Sequence, residues 1–155
     1  MTSSPAHVIS AGALVHDAGR LLLVRHVVPG RYDFWVPPGG RVEGDESLEA
    51  AALRECLEET GIVAAAPRLA YVEEFHCPES RHVKFWFACT MAGGTLDHRH
   101  PGNCIEHIAE VDWCSLAQMA TRTLMPPFLQ ARYRQDLAAG FPQPVRMPLR
   151  AMAFW

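Results

Sequence analysis

Apolar positions along this chain alternate in short runs and recur at helical spacing in three places, which predicts an order of strands and helices. Residues 7–15 (HVISAGALV) and 21–26 (LLLVRH) read as two strands joined by the turn Asp17-Ala18-Gly19-Arg20, a hairpin. Residues 34–36 (FWV) form a short strand feeding Pro37-Pro38-Gly39-Gly40, a turn and loop in which proline fixes φ and glycine frees it. Trp35 is expected to pack at the base of this loop. After a helix ending near Gly61, residues 68–75 (RLAYVEEF), 82–91 (HVKFWFACTM) and 106–113 (EHIAEVDW) read as three more strands. Residues 115–120 and 127–139 are expected to be helical. The first six residues read as a loose start. The tail, 141–155, carries Pro142, Pro144 and Pro148 and ends in Ala-Phe-Trp, an apolar end expected to dock on the domain or on a second copy of it. Strands, helix, strands, helix in that order indicate a mixed α/β fold rather than a doubly wound parallel sheet.

The central helix has an unusual face. Its last turns read Arg54-Glu55-Cys56-Leu57-Glu58-Glu59. At about 100° per residue, Glu59 lies roughly 40° to one side of Glu55 and Glu58 about 60° to the other. Three carboxylates on one face repel one another unless a cation neutralises them. Leu48, Ala51 and Ala52 precede them on that face, and their small side chains are expected to leave room for a ligand. Leu53 and Leu57, nearly opposite, are expected to pack into the core. Asp45 or Ser47 can cap the helix start, and Gly61 ends it. Such a face suits a hard divalent metal.

Composition narrows the field without selecting a function. The chain has 155 residues, enough for one domain over 1–155 with a sizeable core. A net charge of −3 gives no broad basic surface, so nucleic acid is not an expected partner. No apolar run reaches membrane-spanning length and no signal peptide is visible, so no membrane association is expected. Five cysteines without CxxC spacing fit a reducing cytoplasm, the expected location.

Gly40, five residues, Glu46, seven residues, then Arg54-Glu55-Cys56-Leu57-Glu58-Glu59-Thr60-Gly61-Ile62 matches the pattern G-x5-E-x7-R-E-U-x-E-E-x-G-U. Over residues 40–62 the chain therefore resembles the Nudix hydrolases. The one soft departure is Cys56, where the pattern prefers Ile, Leu or Val; a buried cysteine behaves as a small hydrophobe. The resemblance implies an α/β Nudix fold, a mixed β-sheet sandwiched between α-helices. It also implies a pyrophosphohydrolase that cuts a nucleoside diphosphate linked to another group, with Mg²⁺ as cofactor and Mn²⁺ as the alternative. Glu55, Glu58 and Glu59 match the metal-binding acids, and the Gly40 carbonyl is a further candidate oxygen. Arg54 is expected to orient a glutamate by bidentate hydrogen bonds rather than to touch substrate. Glu46 is expected to anchor the loop or helix start.

The water-activating base in this family is a box glutamate or an acid from a later loop, and Glu106 is the candidate outside the box. Glu110, an even offset along the expected strand, would share its face, although both also fit surface charges on an edge strand. His98, His100, Cys104 and His107 suggest zinc by residue type, but their spacing matches no familiar zinc pattern and they read as loop residues. His76, His82 and Lys84 flank the expected cleft. Cys77 and Cys89 have no partner signal for nucleophilic catalysis. Pro78, sixteen residues after Ile62, points to ADP-ribose-like substrates. Nucleoside triphosphates compete with that reading and nucleotide sugars stay open. A nucleotide-sensing or RNA-associated binding module is the non-catalytic alternative, disfavoured by the intact acids. A homodimer is the expected assembly, resting on the apolar tail.

Overall fold

The computed structural model describes residues 4–152. Four strands come first: β1 (Ala6–Asp17), β2 (Arg20–Val28), β3 (Tyr32–Val36) and β4 (Gly39–Arg41). Helix α1 (Leu48–Thr60) follows, then the long strands β5 (Ile62–Cys77) and β6 (Ser80–Gly94). The remainder holds α2 (Pro101–Ile105), β7 (Ile108–Ser115), α3 (Leu116–Met119), α4 (Phe128–Ala131), α5 (Tyr133–Ala138), β8 (Val145–Arg146) and β9 (Arg150–Ala151).

All strands belong to one mixed sheet in the order β3-β2-β1-β6-β5-β8, with β4 on β1, β7 on β2 and β9 on β5. The expected hairpin of β1 and β2 is present but short, pairing only His16 with Leu21 and Asp17 with Arg20. The main partner of β1 is β6, parallel from Ala6↔Ser80 to His16↔Thr90. Central strands are buried on both faces, as strands roofed by other elements on either side must be. Leu21 and Leu23 enter one core cluster with Leu14, Trp86, Phe128 and Tyr133. Leu22 points the other way, with Ala13, Val15, Phe87 and the α1 residues Ala51, Ala52 and Cys56. The period of two in the sequence thus serves two cores.

Four expectations change. Strand β5 starts at Ile62 rather than at 68, with register shifts at Val63/Ala64, Ala65/Arg68 and Leu69/Tyr71 that absorb a run of weak strand formers. The strand expected from Glu106 begins at Ile108, because His107 adopts φ 60° and interrupts the extended backbone. The single helix expected over 127–139 is two short helices broken at Arg132, whose φ is −140°. The polar loop before β7 contains α2, capped by His100 and led by Pro101.

The tail docks on its own domain. Phe141 is buried, and β8 and β9 pair in parallel with β5 at Tyr71↔Val145 and Phe75↔Arg150. The Ala-Phe-Trp end falls outside the described residues. Pro78 is one of the two turn residues between Cys77 and Ser80, where its fixed φ favours the β5–β6 hairpin.

Candidate metal and active site

Helix α1 carries the site because of how it lies on the sheet. Ser47 caps it, its side chain accepting from the Ala50 amide, and Gly61 closes it in the left-handed region at φ 74°. The buried arc runs through Ala51, Ala52, Glu55, Cys56, Glu59 and Thr60. Leu57 is 50 % exposed, against 6 % for Glu55 and 2 % for Glu59. Leu57 is therefore not a core residue, whereas Leu53, partly buried, packs against the core cluster as expected. The alanines do not hold space for a ligand either; both are fully buried and let the helix approach β1 and β5 closely. The helix turns its acids inward and a leucine outward, reversing the usual amphipathic rule.

Burying carboxylates is costly unless they are hydrogen-bonded or neutralised. Arg54 provides part of the compensation. Its guanidinium uses every N–H: Nε and Nη2 to Glu46 (3.1 and 2.7 Å), Nη1 to Glu55 (3.0 Å) and Glu58 (3.2 Å), and Nη2 to the Arg41 carbonyl (3.1 Å). Glu46 also accepts from the Glu43 amide at 2.9 Å, and these bonds hold its carboxyl down at about 2. Glu46 is the anchor expected of it, joining the loop after β4 to the middle of α1.

Glu55 and Glu59 are less well compensated. Burial pushes the Glu55 carboxyl up, with Arg54 pulling the other way. Burial raises Glu59 strongly, and the charge of Glu106 adds to it. One Glu59 oxygen accepts from the Gly39 amide at 2.9 Å, while Oε1 is buried without a donor. Gly40 lies against Glu55 so closely that any Cβ there would overlap its carboxylate. This glycine is required by contact rather than by φ.

Glu106 completes the group. Oxygens from Glu55, Glu59 and Glu106 converge within 4.8 Å of one another, the one such acidic or His/Cys group among the described residues. Asn103, three residues before it, bonds back to α1: its Nδ2 donates to the Glu59 carbonyl and to the His98 carbonyl, both at 2.9 Å. The α2 segment is thereby pinned to the end of α1. Glu58 stands apart from the converging oxygens, partly exposed and held by Arg54. Lys84 sits behind the acids in the middle of β6. Burial pushes its ammonium down, and Glu59, Glu73, Glu55 and Glu106 oppose that shift. An orphaned buried oxygen, three convergent carboxylates and a glycine cradle fit a hard divalent cation bound by oxygen.

Other expected residues are placed elsewhere. Glu110 pairs with Arg25 at 3.1 Å beside Asp33 and takes no part in the acidic group. His107 breaks the strand, so Glu106 and Glu110 do not share a strand face. His98, His100, Cys104 and His107 do not converge; His100 accepts from the Gly102 amide instead. Trp35 is buried in the core cluster with Leu124 and Phe128, with the Arg122 guanidinium 3.9 Å from its ring centre. Sequence reading missed Asn103, which carries no spacing signal in a polar loop. It undervalued Lys84, although a lysine inside the apolar run HVKFWFACTM is such a signal.

A sequence profile of the NUDIX domain matches residues 6–136, and the chain belongs to this family. The phosphatase NudJ of Escherichia coli K12 is 33% identical over 84 residues, 54% of either chain. The chain thus spans about half the length of the curated relatives it matches. Among solved structures, a NUDIX hydrolase from Nitrosomonas europaea superposes with TM-score 0.72 at 22% identity, covering 89% of this chain and 91% of that one. A MutT protein from Methanosarcina mazei Go1 gives 0.64 at 29% identity, covering 89% and 99%. These neighbours share the mixed sheet with flanking helices.

Proposed function

We propose that the chain is a metal-dependent pyrophosphohydrolase acting on a nucleoside diphosphate derivative, either an ADP-ribose-like compound or a nucleoside triphosphate. The observation carrying this reading is the convergence of Glu55, Glu59 and Glu106, with one buried oxygen of Glu59 lacking any donor. Family membership and the name of NudJ support hydrolysis at phosphorus.

In this reading Glu55 and Glu59 would hold Mg²⁺, or Mn²⁺ in its place, with the Gly40 carbonyl as a further oxygen; Glu58, outside the converging group, would join by turning its partly exposed carboxylate toward it. When bound, the ion would supply positive charge to neutralise phosphate oxygens and align the leaving group. Arg54 contributes by fixing Glu46, Glu55 and Glu58 relative to one another and does not contact substrate. Glu106 is the general base, a carboxylate oxygen taking the proton of the attacking water as its oxygen bonds to phosphorus and the anhydride P–O bond breaks. Asn103 keeps that carboxylate beside the α1 acids, and Lys84 supplies fixed positive charge behind them.

The test is chromatography of products from a panel of ADP-ribose, nucleoside triphosphates and nucleotide sugars, with and without Mg²⁺. The expected result is cleavage at an anhydride bond only with metal, reduced about 10²–10⁴-fold in Glu106→Gln. Metal-independent cleavage, or normal turnover in that variant, contradicts the assignment. ADP-ribose yielding AMP selects the first substrate class, and triphosphates yielding monophosphates the second.

A further inference from the structure

Beside the acidic group, on the other side of Lys84, lies an open cleft walled by Phe34, Phe75, Trp86 and Pro126. Its aromatic and apolar walls suit a planar ring, since ligand sites are mostly apolar with a few placed polar groups. Lys84 lines it as well, its Nζ 4.4 Å from the centre of the Trp86 ring. The cleft and the acids therefore share one cation, which places a ring in the cleft and its phosphates toward Glu55, Glu59 and Glu106.

The polar groups of this cleft come from two distant parts of the chain. Glu73 of β5 is almost wholly buried; one oxygen accepts from Trp86 Nε1 at 2.9 Å, and the other takes Arg150 Nε and Nη2 at 2.9 and 2.5 Å. Arg150 arrives on β9, beyond the NUDIX-matched residues, and lies over Phe75 at 5.2 Å. Of this pair, 3% of the Glu73 side chain is accessible and 27% of the Arg150 side chain. Arg150, not Glu73, is the group a ligand meets. An arginine has five N–H donors. Two are used on Glu73 and one on Met152 Sδ at 3.3 Å, leaving two without a partner among the described residues.

We propose that Arg150 is a specificity-determining residue: held by Glu73 at the back of this cleft, it reads the acceptor edge of a heteroaromatic ring attached to the anhydride. A guanidinium donates and never accepts, so its spare N–H groups favour ring oxygens and unprotonated ring nitrogens over amino groups. A planar fork meeting two adjacent acceptors is a strongly discriminating contact. The selected class is an oxo-substituted base rather than an amino-substituted one. This deepens the triphosphate branch of the hydrolase reading above, since ADP-ribose carries an amino-substituted base, and rests on that reading for the phosphate end alone.

The test is calorimetric titration of the full chain with inosine 5′-monophosphate, adenosine 5′-monophosphate and ribose 5-phosphate, without metal. The two nucleotides differ chiefly in whether position 6 of the purine carries an oxygen or an amino group. The expected result is inosine monophosphate binding about tenfold or more tighter than adenosine monophosphate, with ribose 5-phosphate weakest. Arg150→Lys keeps a cation against Glu73 but lacks the fork, and is expected to bring that preference below about threefold. Phe34→Ala leaves the Arg150–Glu73 pair intact and is expected to weaken both nucleotides while preserving their ratio. Equal affinities for the two nucleotides, a preference retained in Arg150→Lys, or no binding of either nucleotide overturns the proposal. No bond is cleaved in this titration, so its failure leaves the hydrolysis panel untouched. Likewise, absence of hydrolysis leaves the binding ratio measurable.

Discussion

Arg54 and His16 show how differently two partly buried basic residues are treated. Arg54 has a carboxylate or carbonyl acceptor for each of its N–H groups, whereas the His16 Nε2 is buried and unpaired. Lysine has three donors on one point charge and cannot span Glu46, Glu55 and Glu58 together. Arg54→Lys is therefore expected to lower stability by about 1–2 kcal/mol and turnover by at least about tenfold, read by denaturant titration and steady-state kinetics. Unchanged turnover would remove Arg54 from any positioning role. His16 stacks on Tyr133 at 5.4 Å, and burial lowers its imidazole from 6.5 to about 4. The unfolded chain thus takes up a proton below about pH 6.5 that the folded protein resists. The stability due to neutral His16 is complete above that pH and is lost as pH falls toward 4. His16→Phe keeps a stacked ring without the titrating group, and thermal melts between pH 7 and 4 are expected to show a shallower loss. An identical decline in the variant would assign acid sensitivity elsewhere, with His26, lowered by the same cause, the next residue to test.

At the scale of elements, α1 was legible in outline and misread in orientation. Its caps, its length and its acid spacing follow from local rules, so Ser47, Gly61 and the Glu55–Glu59 pair stand where the sequence puts them. Which face is buried is not a local property. The leucine-bearing side looks like the core side by hydrophobicity, and Leu53 does reach the core, yet Ala51 and Ala52 permit the closer approach to the sheet, carry the acids in with them and leave Leu57 outside. Helix α2 was not legible because its only signals are a proline and a short polar loop. Its value lies in a long-range contact, Asn103 to the Glu59 carbonyl, that no spacing rule contains. Asn103→Ala removes a buried donor from two carbonyls and is expected to cost about 1–3 kcal/mol. It should also reduce kcat more than it raises KM, because Glu106 loses its register on α1. A loss of stability with unaltered kcat would limit Asn103 to a structural role.

Over the whole molecule, the tail closes the edge of β5 and supplies one wall of the cleft. Prolines and a terminal aromatic signalled docking, but two-residue strands leave no periodicity, so their parallel register on β5 was beyond sequence reading. A chain ending at Gly140 loses Phe141 from the core and leaves Glu73 without Arg150. Its melting temperature is expected to fall by about 5 °C or more. An unchanged melt would mean that the tail adds nothing to the fold. No helix among the described residues is long and apolar enough to cross a membrane. The central claim, that the inward acids of α1 form a cation site beside Glu106, is tested most directly by thermal melts across a Mg²⁺ titration near neutral pH. A ligand at about 100 times its Kd stabilises by about 2.7 kcal/mol. The account predicts a saturable rise in melting temperature for the wild-type chain, reproduced with Mn²⁺ and abolished by Glu59→Gln. A melting temperature indifferent to both ions, or an equal rise in Glu59→Gln, would contradict it.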